Sequence, residues 1–302
     1  MRIFVTGGSG MLGHCLMRLA ASRHQVSGSY HNQPVKIDGC ALYPLDITDE
    51  AEVRTRFTSV RPDVIVHTAA LTDVDECEKF PDRARRINSD GTAIIARVCQ
   101  GLDALLVYIS TEYVFDGSTG GYRETDAPNP VNEYGVSKLV GEKYARVNCS
   151  RVSIIRTTMF GLKLPPGVGM METLVAALRD GKPMTRFFDQ YFTPLYTGQL
   201  SEVIIRMAEL ELMGVFHVGS VNRVSRLEFS KNVAEVFAYG DSHIHPGPFR
   251  QIDGLARRPQ DTSLISNRIR ERVGMGLPEV RDGLSWLKRD WDSVSGEGMA
   301  AH

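Results

Sequence analysis

The run Thr6-Gly7-Gly8-Ser9-Gly10-Met11-Leu12-Gly13 constrains this chain more than any other feature. It lies between an apolar run, Ile3–Thr6, that reads as a strand and a helical pattern from about Met11 to Ala21. Gly7, Gly10 and Gly13 form G-x-x-G-x-x-G. A glycine at such a turn permits unusual backbone angles, one in the middle lets backbone approach a pyrophosphate, and the last lets helix pack on strand. The first helical turn, from Met11 and Leu12, then offers unpaired N–H groups and a positive dipole end to phosphate. A glycine loop alone is weak, but opening a βαβ pattern it predicts a dinucleotide site.

The rest of the first half repeats that rhythm. Gln25–Tyr30, Ala41–Leu45, Val64–Thr68, Leu105–Ser110 and Val152–Arg156 read as strands, and Glu50–Thr58, Arg83–Gln100 and Glu133–Val147 as helices. Strands apolar on both faces, separated by helices, predict an α/β doubly wound parallel sheet of Rossmann type. After Arg156 the rhythm breaks. Gly161–Gly169 reads as a loop around Leu164-Pro165-Pro166-Gly167. Helices are expected at Met171–Asp180, Gly198–Glu209 and Arg226–Ala238, a further strand at Val215–Val218, and irregular chain over Asp241–Asp261. The expected division is a dinucleotide-binding domain over 1–157, with about 195–222 returning to the sheet, an interleaved substrate-binding lobe over 158–290, and a flexible tail over 291–302.

Charge and cysteine content narrow the function. Thirty-five Lys and Arg against 36 Asp and Glu leave a net charge of −1, which gives no bulk attraction to nucleic acid or membrane. The five cysteines are scattered with no C-x-x-C, so free thiols in a reducing cytoplasm are expected. No apolar run approaches the roughly 18 residues of a membrane span. His243-Ile244-His245 and the acids Asp73, Asp75, Glu76 and Glu78 lack the partners of a metal site; the acids suit a helix start. No metal is expected. Asn148-Cys149-Ser150 fits a glycosylation sequon, irrelevant in a cytosolic protein, and Met170-Met171 reads as core or interface filling.

Cofactor type rests on the end of the second strand, Gly28-Ser29-Tyr30-His31-Asn32. An acid there would bind the ribose 2′-hydroxyl of NAD. Its absence favours NADP(H), with Ser29, His31 or Asn32 free to bond a 2′-phosphate though no Arg stands there, and NAD(H) kept as the alternate. Asp46 either accepts from an adenine amino group or caps a turn.

The chemistry is concentrated further on. Ser110-Thr111-Glu112-Tyr113 follows a central strand, where ligands bind in such sheets. Tyr134 and Lys138 stand at i, i+4, on one helix face. An ammonium beside a phenol favours the phenolate and lowers the Tyr pKa, and such a Tyr can exchange a proton with a substrate oxygen. Thr111 can hold the same oxygen. The catalytic set predicted is Thr111, Tyr134 and Lys138.

These blocks resemble a known family. Ser110–Gly117 (STEYVFDG), Tyr122-Arg123-Glu124-Thr125-Asp126 with Pro130, and Tyr134–Glu142 (YGVSKLVGE) resemble the dTDP-4-dehydrorhamnose reductase family of extended short-chain dehydrogenases/reductases. Ala69–Asp75, Asp189-Gln190 with Thr193-Pro194, and Arg258-Pro259 support it, to about residue 290. The resemblance implies reduction of the 4-keto group of a nucleotide-linked 6-deoxyhexulose, with Tyr134 as acid and Lys138 also on the nicotinamide ribose. It sets Ile47, Ala69 and Ala70 along the cofactor, Thr72, Val74, Glu112, Tyr113 and Met159 around the sugar, and Arg258 on the diphosphate. An Asn at position 88 helps order such sites, or Asn88 is a plain polar helix residue. Two departures stand out: Glu112 replaces the usual Asp, and Arg156-Thr157-Thr158-Met159-Phe160-Gly161 lacks the family's sugar-stacking Trp. Further readings are an epimerase or dehydratase that regenerates its nicotinamide, a non-catalytic NADP-binding module like the β subunit of methionine adenosyltransferase, and a homodimer.

Overall fold

The computed structural model describes residues 1–163, 169–251 and 253–299. Its core is one seven-stranded parallel sheet in the order β11-β6-β5-β4-β1-β2-β3. The strands are β1 (Arg2–Thr6), β2 (Gln25–Tyr30), β3 (Ala41–Pro44), β4 (Val64–His67), β5 (Leu105–Ile109), β6 (Val152–Thr157) and β11 (Gly214–Val218). β1, an inner strand, pairs with β2 on one side and β4 on the other, so the chain winds outward in both directions. The sheet crevice therefore opens at the carboxyl end of β1, next to the glycine turn.

Helices cover both faces. α1 (Met11–Ala20) and α8 (Thr197–Glu209) pack on one side, and α2 (Glu50–Val60), α5 (Gly91–Leu102) and α6 (Glu133–Asn148) on the other. Strands β4 and β5 are buried at every residue, because both faces meet helices. α2 starts where the Asp49 carboxylate accepts from the Glu52 amide at 3.0 Å. α6 starts where the Asn132 side chain accepts from the Gly135 amide at 2.9 Å.

A smaller C-terminal lobe has its own apolar cluster, including Phe160, Leu174, Phe192, Phe229 and Leu284. It holds α7 (Met170–Arg179), α9 (Arg226–Val236), α11 (Val280–Met299) and three two-stranded pairings, while α10 (Asn267–Val273) packs its Ile269 and Val273 into the core of the central sheet. These are β7 (Met159–Phe160) with β10 (Leu195–Tyr196), β8 (Met184–Phe187) with β13 (Ile244–Gly247), and β9 (Tyr191–Phe192) with β12 (Val224–Ser225).

Several expectations are corrected. The helix expected over Arg83–Gln100 is present and extends over 81–102, but with a π-helical turn, Arg86–Asp90, between α4 (Pro81–Arg85) and α5; a separate short helix, α3 (Val74–Lys79), precedes it. Pro81 cannot continue α3 and instead opens α4. The irregular stretch Asp241–Asp261 contains β13, and the tail from Ser293 continues α11 through Met299. The Pro-Gly run Leu164–Gly167 and residues 300–302 lie outside the described residues. Of the two methionines, Met171 is buried and Met170 exposed. Among the described residues no helix is long and apolar enough to cross a membrane, and no group of three His, Cys, Asp or Glu could hold a metal.

Candidate active site

The glycine turn joins β1 to α1. Gly7 adopts φ +71°, and a Cβ there would strike the Ala69 backbone. A Cβ at Gly13 would collide with the Gly7 carbonyl, so the helix packs here on bare backbone. No side chain caps α1; its first amides are left for a ligand. The turn opens into a cleft of about 1070 Å³. A bare-backbone turn with an uncapped helix start fits a dinucleotide diphosphate.

One cleft collects nearly every residue expected from sequence. Gly7, Gly10, Met11, Leu12 and Gly13 line it from the turn, Ser29 and His31 from the end of β2, and Asp46 and Ile47 from the end of β3. Ala69, Ala70, Thr72 and Val74 follow β4, Thr111, Glu112 and Tyr113 follow β5, and Tyr134 and Lys138 come from α6, with Met159 opposite. Asp46 binds the Thr48 amide and hydroxyl, both at 2.8 Å, so it serves as a turn carboxylate while lining the cleft. Arg258 does not line it. Its guanidinium binds Asp75 at 2.8 Å, and the second Asp75 oxygen accepts from the Ala256 amide at 2.9 Å. The acidic cluster is thus divided: Asp73 caps α3 by accepting from the Glu76 amide at 2.9 Å, and Asp75 ties down the 256–258 segment.

α6 approaches closely enough to bring Tyr134 and Lys138 to the strand ends because a Cβ at Gly135 would strike the Tyr113 carbonyl. The Lys138 ammonium donates to the Ile109 carbonyl at 2.7 Å and lies 4.2 Å from the centre of the Tyr108 ring. Burial lowers its pKa to about 7, against the raising influence of Glu142 and Cys77. The Thr111 hydroxyl donates to Glu112 at 3.0 Å and accepts from the Tyr113 amide at 3.1 Å. Burial holds the Glu112 carboxyl above the usual carboxylate range.

The Tyr134 phenol is pushed up, not down. Burial is the main cause and Glu112 adds to it, while Thr111 opposes the shift. The Lys138 ammonium, bonded to the Ile109 carbonyl, is not among the causes of the shift, contrary to the expected lowering. A high pKa keeps Tyr134 protonated, the state an acid needs.

Two supporting networks escape a motif search. Asn88, presented by the π-helical turn, accepts from the Leu71 amide at 2.8 Å and donates to the Leu71 carbonyl at 2.9 Å and the Ser137 hydroxyl at 3.0 Å. It thereby clamps the strand-end segment beside Thr72 to the helix turn that carries Lys138. His67 bridges Thr6 at 2.7 Å and Thr92 at 3.2 Å. Thr92 donates to the Asn88 carbonyl, so it accepts from His67 Nε2–H, and Nδ1 accepts from Thr6. Burial lowers the His67 pKa to about 3. At the far end Arg86 lines the cleft and binds Thr48 at 3.3 Å. It supplies a cation that the β2 terminus lacks; its helical position hid it in the sequence.

Comparison with known proteins agrees with this geometry. The model of the RmlD substrate binding domain matches residues 1–290. The probable low-salt glycan biosynthesis reductase Agl14 of Haloferax volcanii is 32% identical over 98% of this chain and 100% of its own length. Methionine adenosyltransferase 2 subunit beta of Danio rerio is 30% identical over 96% of this chain and 92% of its own. The structure of dTDP-4-dehydrorhamnose reductase from Bacillus anthracis in complex with NADP superposes with a TM-score of 0.84 and 28% identity, covering 96% of this chain and 99% of that one. A match over nearly the whole length, on a fold whose cleft gathers the motif residues, means that the chain belongs to the RmlD family, that of dTDP-4-dehydrorhamnose reductase.

Proposed function

We propose that the protein reduces the 4-keto group of a nucleotide-linked 6-deoxyhexulose. The observation that carries this reading is the meeting of Thr111, Tyr134 and Lys138 in the same cleft as the glycine turn. The chain is an oxidoreductase of its family's kind, with NADP(H) the favoured cofactor and NAD(H) the alternate. No acid ends β2, Arg86 adds a cation nearby, and the Bacillus anthracis reductase holds NADP. When bound, the reduced nicotinamide supplies a hydride to the carbonyl carbon.

The chain's own residues handle the oxygen. Thr111 orients the carbonyl by hydrogen bonding. Tyr134, protonated because it is buried, gives its proton to that oxygen. Lys138 offers its charge to the resulting phenolate and to the nicotinamide ribose. Glu112, Tyr113, Thr72, Val74 and Met159 surround the sugar, and Met159 offers a flexible apolar contact in place of an aromatic face. The functional division we propose is 1–157 with 195–222 for the cofactor and 158–290 for the sugar nucleotide. Free cysteines throughout suit a reducing compartment such as the cytoplasm.

The test is stoichiometric. Incubation with NADPH and a dTDP-4-keto-6-deoxyhexulose should oxidise one NADPH per sugar consumed. Turnover of sugar without net oxidation would instead make the protein an epimerase or dehydratase. A second reading follows from the methionine adenosyltransferase relative: an NADP-binding subunit that acts through a partner. No turnover together with stoichiometric co-purification of such an enzyme would favour it.

A further inference from the structure

We propose that Tyr108 is a positioning residue for Lys138: its ring seats the ammonium and its hydroxyl holds the backbone of the same lysine. The catalytic consequence rests on the reductase reading above. Tyr108 does not itself line the cleft, so it acts through Lys138.

Tyr108 lies in β5, whose residues are all buried. Its cross-strand partner in β4 is His67, and the two rings stack with centres 5.6 Å apart at 29°. The far end of the side chain reaches α6. There the Tyr108 hydroxyl donates to the Lys138 carbonyl at 3.3 Å, in space that a Cβ at Gly141 would fill. The Lys138 side chain runs back to the sheet. Its ammonium stands 4.2 Å from the centre of the Tyr108 ring and donates to the Ile109 carbonyl at 2.7 Å. One tyrosine therefore meets both ends of the lysine.

Both residues are buried. An ammonium there has lost its water, and the negative face of an aromatic ring supports it most strongly under that condition. An ammonium carries three N–H donors. Ile109 takes one and the ring covers a further side, which leaves the remainder for the cleft that Lys138 lines. The titratable groups around it are Glu142 and Tyr134 on α6, Cys77 on α3 and His67 on β4. Glu142 is engaged by Arg156 and Ser110. Burial keeps the Cys77 thiol and the Tyr134 phenol protonated and His67 neutral, so His67 brings no second cation to the ring.

The test keeps the ring's shape and changes its charge. Tyr108→Phe is compared with the same phenylalanine carrying three ring fluorines, which withdraw electrons from the face. Lys138 is titrated by NMR in protein labelled at lysine, with its signal assigned from a Lys138→Met variant. Tyr108→Phe should titrate like the unaltered protein, and the fluorinated ring should lower the Lys138 midpoint by about one pH unit. Weaker support for the cation favours the free amine, so the descending limb of kcat/KM should move to lower pH by the same amount. Equal titration with the two rings would overturn the seat, because a packing role depends on shape alone. A limb that stays in place while the NMR midpoint moves would overturn the positioning role. The NMR titration needs no substrate. If the midpoint moves as expected but no 4-keto sugar nucleotide oxidises NADPH, the seat stands and the reductase reading fails.

Discussion

Glu142 and Arg156 form a two-point ion pair sealed inside the fold. Arg156 donates Nε at 2.9 Å and Nη2 at 2.7 Å to the two carboxylate oxygens, with side-chain exposures of 4% and 0%. The Ser110 hydroxyl donates to the same carboxylate at 2.6 Å. The pair thus joins α6, β6 and the residue before Thr111. Removing one partner leaves a buried unpaired charge. Glu142→Ala or Arg156→Ala should cost about 3–5 kcal/mol, whereas replacing both with apolar residues of similar size should cost much less. Urea unfolding of the two single variants and the double variant checks this.

The same carboxylate tunes the site. Lys138 is one turn from Glu142 and titrates near 7, faced also by Cys77, Tyr108 and His67. With its protonated form required, kcat/KM should fall by one proton as pH rises through about 7. Glu142→Gln removes a raising influence, so this descending limb should move to lower pH. A purely structural Glu142 would lower the rate and leave the limb in place.

Two buried histidines set the acid limit. Burial lowers the pKa of His67 and of His217 to about 3 from 6.5. The unfolded chain therefore binds more protons below 6.5, and the stability these groups retain above it is lost as pH falls from about 6.5 towards 3. Denaturant midpoints should drop across that window, and should drop distinctly less between about 6.5 and 5, above the range where the carboxylates titrate, for a His67→Gln, His217→Gln double variant.

The early strands were legible because β4 and β5, buried on both faces, appear as unbroken apolar runs. The glycine turn and Tyr134–Lys138 were legible because their spacing is local. The rest depends on distance or shape. Asp75 and Arg258 are 183 residues apart, and no local pattern distinguishes a latch from a solvated acid. β7, β9, β10 and β12 are two residues each, too short to show a period. α11 carries Val280, Leu284 and Leu287 buried at helical spacing, but its many charges masked the stripe. The direction of the Tyr134 shift required knowing that the phenol itself is buried, with Glu112 adding to the effect.

Arg86 tests cofactor choice at the adenine end. Arg86→Gln should raise the Kd of NADPH by about tenfold and leave that of NADH within about twofold, since only the 2′-phosphate would lose a cation. Fluorescence titration of both nucleotides decides it; an equal effect on each would assign Arg86 to the Thr48 turn alone.

The proposed reduction depends above all on the Tyr134 hydroxyl supplying the proton to the substrate oxygen. Single-turnover NADPH oxidation with a dTDP-4-keto-6-deoxyhexulose tests it in the Tyr134→Phe variant. The rate should fall by about 10²–10⁴-fold, the usual range for losing a general acid, with NADPH affinity retained. A Tyr134→Phe enzyme that oxidises NADPH at the wild-type rate would contradict it.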